Sequence, residues 1–555
     1  MAKPPLKSVR QPELRLDGTG AAAGIAIGHV FRLPTLAGNE EPRTLQKADV
    51  RGELDRLHNA IIMAHAELDS SMRGTVGLPA NAAEEINRTL EAHKVMLEGS
   101  RLTRGVERRI LKQMINAEAA LQQEVEAISH SFTLLEDRYL AARGADVRAV
   151  GALLLTFLLQ LPARTIVQAP AGAVIVADDI TPNDTAQINP KHIAGLVTSG
   201  GGPEGHTAIM ARALGLPAVM NVPEALARVQ DGDPVILDGR EGLVIIHPTA
   251  ATLRQFKALR ERIETSRKEL KKLKRLPAKT KDGTLIRLCA NLEQPEDVKA
   301  AREANADGVG LLRTEFLFMG RDTLPDADEQ FEVLRRIVEG MEGKPVTIRT
   351  LDVGGEKVPP ALARVIGKSA NPALGLRGIR LSLAEPDLLT TQFIAALKAS
   401  KQGPIRLMLP MVTNADEVKV AKALLQKAAK SLGYKGKLPE LGLMIEVPAA
   451  ALLADNLAKV SDFFAIGTND LTQYTLAADR ADDKVAALFD SRHPAVLALI
   501  ERTAKAGAKA KIPVSICGEV AGDARATATL IGLGIRELSM TPSSILTVKK
   551  AVRAV

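Results

Sequence analysis

The chain contains no tryptophan, and aromatic residues make up only 3 % of its 555 positions. Its cores must therefore be built from Leu, Ile, Val, Ala and Met, and no nucleic-acid-binding motif with interleaved aromatics is present. Cysteine is nearly as scarce. Cys289 and Cys517 are the two thiols, too far apart in sequence to be a disulfide framework, so a reducing cytoplasm is the expected setting. No apolar run is long enough to span a membrane. The opening "MAKPPLKSVRQPELRLDG" lacks the apolar centre of a signal peptide and is expected to be a flexible tail over residues 1–15.

What is present is ordinary in amount: 46 % hydrophobic and 25 % charged residues, in a chain long enough for about three domains. The formal net charge of +8 is diffuse. A small anionic substrate accounts for surplus arginine as well as a nucleic acid does.

The rhythm of the chain changes four times. "GIAIGHVFRL" reads as a strand in a strand-rich start. Residues 48–159 then carry apolar positions at helical spacing, as in "VRGELDRLHNAIIMAHAELDSSM" and "ANAAEEINRTLEAHKVMLEG", and are expected to form a helical subdomain inserted into another domain. Strands return with "TIVQ", "AVIVADD", "IAGLVTS", "PAVMNV", "PVILDG" and "GLVIIHP", so residues 16–47 and 160–250 are expected to form one α/β domain. A basic helix from about Thr252 to Arg275 falls in a linker over 251–280. From 281 to 555 eight apolar runs alternate with helical segments: "LIRLCANL", "GVGLLRTEF", "VTIRTLDV", "IRLMLPMV", "LGLMIEVP", "FFAIGTND", "PVSICGE" and "RELSM". Eight evenly spaced βα units predict a (β/α)8 TIM-type barrel, with a doubly wound open sheet as the alternative. The fold class is thus multidomain α/β with a helical insert and a C-terminal barrel.

In such a barrel the carboxyl ends of the strands form the active site. Those ends carry Asn291, Arg313, Arg349, Met411, Glu446, Asn469 with Asp470, and Cys517. Strands become polar where they surface, but a set spread over most strands reads as a catalytic rim. Arg313 and Arg349 can clamp phosphate or carboxylate through paired N–H donors. Glu446 and Asp470 are hard oxygen ligands of the kind Mg²⁺ takes, with a structural salt bridge to the arginines as the other reading. Cys517, as a protonated thiol, is able to donate a proton, although strand cysteines are usually inert. "VIGKS" imitates the end of a P-loop, but Leu362 stands where the first glycine belongs.

One further stretch carries chemistry. "GGGPEGHTAIMAR" contains Gly200-x-Gly202-x-x-Gly205, a dinucleotide-binding pattern, with Glu224 near the place of a ribose-binding acid. Against that reading, the following helix is short, Pro223 is poor context for a strand end, and the catalytic-looking residues belong to the barrel. A histidine at a helix start has its cationic form disfavoured by the helix dipole. His206 is therefore expected to be neutral, with a lone pair free to attack phosphorus, unless it is a plain helix-start histidine.

Together "GGPEGHTAIMARALGLPAV", "GVGLLRTEFLFMGRDTLP", "IRTLDVGGEK", "LGLMIEVPAA", "FFAIGTNDLTQYTLAADR" and "ICGEVAGD" resemble the phosphoenolpyruvate–protein phosphotransferase family, Enzyme I of the bacterial phosphotransferase system. The likeness runs from "GIAIG" to "RELSM". It implies a swivelling phosphohistidine domain, a helical insert that binds the phosphocarrier HPr, and a barrel that binds phosphoenolpyruvate and dimerises. It implies that His206 is phosphorylated with support from Thr185, and that Arg313, Arg349, Arg377, Arg480, Lys357 and Asn469 bind substrate. Glu446 and Asp470 are implied as Mg²⁺ ligands, Cys517 as the proton donor, and Glu84 and Glu85 as contacts to HPr. Two features depart from the family. Glu204-Gly205 stand where Thr-Ser is usual, and Glu204 is expected to turn outward or to orient the imidazole. The chain also stops at "KKAVRAV" where the family continues with a helical stretch, so barrel closure and dimer strength are expected to differ.

Pyruvate phosphate dikinase and phosphoenolpyruvate synthase share the histidine domain and barrel. They need a large nucleotide-binding domain, and only about two dozen residues precede "GIAIG". The nitrogen-related paralogue carries a sensory domain that is also not expected here. A phospho-relay scaffold that has lost catalysis through Glu204-Gly205 is the remaining alternative.

Overall fold

A computed structural model describes residues 12–33, 42–75, 80–133, 138–160, 165–202, 206–319, 321–354, 358–367, 369–480, 482 and 484–555. The chain divides into two compact units, 1–264 and 265–555.

The first unit is built on an eight-stranded sheet. Its strands are β1 (Leu14–Asp17), β2 (Thr19–Ala22), β3 (Ile25–Arg32), β4 (Ala173–Ala177), β5 (Ile193–Thr198), β6 (Ala218–Met220), β7 (Pro234–Asp238) and β8 (Leu243–Ile246), in the order β1-β8-β7-β3-β4-β5-β6-β2. β3 to β6 pair in parallel, and the outer strands pair antiparallel. The run "AVIVA" of β4 is buried at every position because both faces of the central sheet are covered. The pleat sends Ile175 to one side, where it packs with Ala208 and Ala211. It sends Val174 and Val176 to the other, among Val30, Val197 and Val219.

Five helices lie between the adjacent strands β3 and β4. They are α1 (Val50–Gly74), α2 (Ala80–Leu97), α3 (Arg101–Gln113), α4 (Ala117–Thr133) and α5 (Arg138–Leu158). On α1 the buried residues Leu57, Ala60, Ala64 and Leu68 recur at helical spacing and meet Leu90, Val106, Ile110, Leu121, Val150 and Leu154. Residues from outside the five helices complete this core, among them one each from two later helices. Ala186 comes from α6 (Pro182–Ala186) and Met210 from α7 (His206–Leu214).

The second unit contains a closed barrel of eight parallel strands: β9 (Arg287–Leu292), β10 (Val309–Leu312), β11 (Val346–Arg349), β12 (Ile405–Leu409), β13 (Glu440–Ile445), β14 (Phe464–Ile466), β15 (Val514–Ile516) and β16 (Glu537–Met540). Seven fall within one of the eight apolar runs, and β13 begins one residue before its run, at Glu440. β16 pairs with β9, from Glu537 against Arg287 to Met540 against Ala290, so the sheet closes and the open-sheet alternative is set aside.

Three expectations need adjustment. "TIVQ" is not a strand: Ile166–Gln168 form a single 3₁₀ turn with Val167 68 % exposed, too short to join a sheet. The tail expected to reach residue 15 ends earlier, because Leu14 and Arg15 belong to β1 and pair with Ile246 and Ile245. The basic helix runs from Ala250 to Lys272 rather than from Thr252 to Arg275. Among the described residues, no helix is long and apolar enough to cross a membrane.

Candidate active site

The barrel brings its polar strand ends together at one mouth, where they form a buried charge cluster. Arg349 ends β11, with its Nη2 3.0 Å from Glu315 Oε1 and its Nη1 3.3 Å from Asp352 Oδ2. Arg377 grips the same aspartate from another segment, donating Nε to Oδ1 at 3.0 Å and Nη2 to Oδ2 at 2.8 Å. Its Nη1 donates to the Tyr474 hydroxyl at 3.1 Å and lies 3.5 Å from Asp470 Oδ1. Asp352 is thus the bridge between the two guanidinium groups. Burial works to raise its pKa, but Arg349 and Arg377 outweigh that and hold it below the ordinary carboxylate value. Burial also works against the charge on Arg349, and Glu315, Asp352, Glu446 and Asp470 more than offset it.

Glu446 follows β13 and is 1 % exposed. Its Oε1 accepts the backbone N–H of Met411 at 2.7 Å. Met411 reaches that position with φ 59°, a left-handed conformation that a side-chain-bearing residue rarely adopts. Gly467 makes room on the other side, since a Cβ there would sit 2.7 Å from Glu446 Oε2. Burial, then Asp470 and Asp352, push the Glu446 carboxyl well above its ordinary pKa. The inner cluster therefore sets two guanidinium groups, Arg349 and Arg377, against four carboxylates: Glu315, Asp352, Glu446 and Asp470. Like charge crowded in a buried place is what a divalent cation relieves, and Glu446 with Asp470 offers it hard oxygen atoms. No group of three or more His, Cys, Asp or Glu forms a protein-only cage among the described residues. Arg349 Nε is buried and has no protein partner, so it is a donor available to a bound anion.

Beside the cluster lies a cavity of about 960 Å³ whose lining includes Asn291, Arg313, Asn469, Cys517 and Glu519. Asn469 and Glu519 bond reciprocally. The Asn469 Nδ2 donates to Glu519 Oε1 at 2.9 Å, and the Glu519 N–H donates to Asn469 Oδ1 at 3.0 Å. Asn291 donates to the Cys517 carbonyl at 2.9 Å and pins the end of β15. The Cys517 thiol is 3 % exposed among Leu311, Met408, Met444 and Phe463. Burial, then Glu446, push its pKa up to about 12, so it keeps its proton at neutral pH. Arg313 is half-exposed and ion-paired with Glu293. Arg480 is exposed, and no ion pair joins it to the cluster among the described residues.

In the first unit the glycine loop follows β5 and leads to α7. Thr198 donates to the Gly200 carbonyl at 2.7 Å, and Gly201 takes φ 86°. His206 is the first residue of α7, and its neighbour Thr207 donates to Asp179 Oδ1 at 3.0 Å and to the Ile180 carbonyl at 3.1 Å. That ties the start of α7 to the segment entering α6, where Thr185 is 1 % exposed and donates to the Thr181 carbonyl at 2.9 Å. Glu224 stands at the start of a short helix without a side-chain cap, exposed and paired with Arg228. Lys357 and Glu204 lie outside the described residues, as do the side chains of His206, Glu84 and Glu85. Sequence reasoning missed Asp352, Glu315 and Tyr474. Asp352 and Tyr474 stand inside motifs already singled out, but pairing across 25 and 97 residues leaves no local signal.

One chain thus carries a barrel with polar groups at its carboxyl mouth and an α/β unit with a histidine at a helix start. Family models agree along the chain. The N-terminal domain of PEP-utilising enzymes matches residues 17–143, their mobile domain 169–242, and their PEP-binding domain 266–555. A phosphoenolpyruvate-protein phosphotransferase of Cupriavidus necator is 41 % identical over 97 % of this chain and 94 % of its own length. Proteins of the same description from Geobacillus stearothermophilus and Bacillus subtilis are 40 % and 39 % identical, each over 96 % of this chain and over 92 % and 93 % of their own lengths. A solution structure of Enzyme I (nEIt) is 30 % identical and covers 45 % of this chain and 99 % of its own, with a TM-score of 0.39. The chain belongs to the family of PEP-utilising phosphoenolpyruvate-protein phosphotransferases.

Proposed function

We propose that this chain moves the phosphoryl group of phosphoenolpyruvate onto His206, releasing pyruvate, and then onto a histidine of the phosphocarrier HPr. The observation that carries this reading is the buried cluster of Arg349, Arg377, Glu446 and Asp470, with a protonated Cys517 nearby. Arg313, Arg349 and Asn469 are assigned to the substrate's phosphate and carboxylate, through charge-assisted N–H donors. Arg377, largely occupied by Asp352 and Tyr474, contributes charge and holds Asp470 in place. Lys357 and Arg480 are assigned to the substrate by the family resemblance alone. Glu446 and Asp470 would hold Mg²⁺, which when bound supplies countercharge to phosphoryl and enolate oxygens.

Neutral His206 attacks phosphorus in line through a ring nitrogen, Nε2 by resemblance, and the bond from phosphorus to the enol oxygen breaks. The electron pair stays on pyruvate as its enolate. The Cys517 thiol then gives its proton to the methylene carbon, yielding pyruvate and a thiolate that solvent reprotonates. Thr185 and Glu204 are assigned to support the phosphohistidine. One histidine must serve two sites, so the α/β domain of residues 16–47 and 160–250 is assigned a swivelling motion between barrel and carrier. The helical insert, 48–159, is assigned to HPr with Glu84 and Glu85 as contacts, the helix around 251–280 to the linker, and the barrel to homodimerisation. Two reduced, buried thiols and the absence of a nucleic-acid motif fit a cytoplasmic enzyme with no nucleic-acid partner.

Labelled phosphoenolpyruvate with Mg²⁺ and no ATP tests the proposal. Label retained on the wild type and absent from His206→Ala is the expected outcome. Label on neither protein would sink it and favour the scaffold reading.

A further inference from the structure

Arg313 does not wait empty for an anion. It follows β10 directly, and its backbone N–H donates to the Leu292 carbonyl at the end of β9 at 3.0 Å. Glu293 is the next residue after that strand. Its own N–H, and that of Gln294, donate to Asp297 Oδ2 at 2.9 Å, which fixes the turn. The two residues are therefore side-by-side neighbours across a barrel strand pair, a position where opposite charges meet. The Glu293 carboxylate accepts directly from Arg313 Nη1. Both side chains line the cavity that also holds Asn469 and Cys517. Both are well exposed, 42 % for Arg313 and 57 % for Glu293, so the pair is not part of the packed core.

The geometry points to Glu293 as an internal competitor of the substrate. Its carboxylate occupies the guanidinium that the phosphate or carboxylate of phosphoenolpyruvate must take. It sits in the cavity as an anion facing an anionic substrate. Substrate binding then has to displace Glu293 from Arg313, so Glu293 sets the affinity threshold of the site without touching the reacting atoms. This rests on the assignment of Arg313 to the substrate made above. An exposed ion pair is weak, so the competition is modest and screened by salt.

Steady-state kinetics of the full chain with phosphoenolpyruvate, Mg²⁺ and acceptor tests this in Glu293→Gln, Arg313→Ala and the double variant. Glu293→Gln is expected to lower KM for phosphoenolpyruvate roughly two- to five-fold, with kcat moving less than KM. The gain is expected to shrink at high ionic strength and to vanish in the Arg313→Ala background. Glu293→Ala repeats the test without a hydrogen-bonding side chain. If KM is unchanged or rises in both Glu293 variants while Arg313→Ala raises it, Glu293 is no competitor and the inference fails alone. If Arg313→Ala leaves KM unchanged, the substrate assignment of Arg313 fails, and the inference with it.

Discussion

Seven of the eight barrel strands carry a residue of the candidate site at or within three positions of their carboxyl ends, whereas the α/β sheet of the first unit offers one histidine at the start of a nine-residue helix. In the barrel, charge is held by other charge: Asp352 locks two arginines, Met411 and Gly467 shape the place of Glu446, and a closed sheet fixes them all. Among the described residues next to His206, the anchoring is by hydroxyl donors, Thr207 to Asp179 and Thr198 to the Gly200 carbonyl. The contrast follows from the work assigned to each. A group that must carry a phosphoryl between two sites cannot be built into a charge network, whereas the groups that stabilise the transition state must already be in place.

The contrast can be broken from either side. Asp352→Asn should have the largest effect. Removing the carboxylate that both Arg349 and Arg377 grip breaks two buried ion pairs at once, and the cost is about 3–5 kcal/mol in denaturant unfolding of the barrel. KM for phosphoenolpyruvate should rise as the arginines lose their geometry. If stability and KM were both unchanged, the arginines would be held by something else. Met210→Ala makes the matching test in the first unit. Met210 is 1 % exposed and projects from α7 into the core of the helical bundle. Its loss should cost about 2–5 kcal/mol. Faster hydrogen exchange in α1 to α5 is the expected signature, and an unaltered bundle would show that α7 is not part of its core.

The effect of the thiol is confined to alkaline pH and absent at neutral pH. Burial, then Glu446, push the Cys517 thiol up from its ordinary value of 9.0 to about 12. Between those values the unfolded chain gives up its proton first, so the thiol's contribution to folding stability should fall as pH rises from about 9 towards 12 and be constant below about 9. Thiol titration by ultraviolet absorbance checks this, and a native thiolate appearing near neutral pH would contradict it.

The barrel was legible because buried parallel strands write themselves as unbroken apolar runs, and a polar residue ending a run marks the catalytic rim. "LRLD" of β1 escaped because an edge strand with alternating, half-exposed residues has no such run. "TIVQ" misled because a short β-branched stretch is compatible with a single turn. Arg349 and Glu446 could be read from their place after a strand. Asp352 as a bridge and Glu293 as a competitor could not, since which charge meets which depends on strand neighbours far apart in the chain.

The division of labour between the units rests on one histidine receiving what the barrel activates. Phosphorus NMR of the full chain with phosphoenolpyruvate and Mg²⁺, alongside calorimetric binding of phosphoenolpyruvate to His206→Ala, measures both halves. The account predicts a phosphohistidine signal on the wild type, none on His206→Ala, and binding to His206→Ala that is undiminished. A phosphohistidine that survives the substitution, or binding lost with it, would contradict the division of labour between the two units.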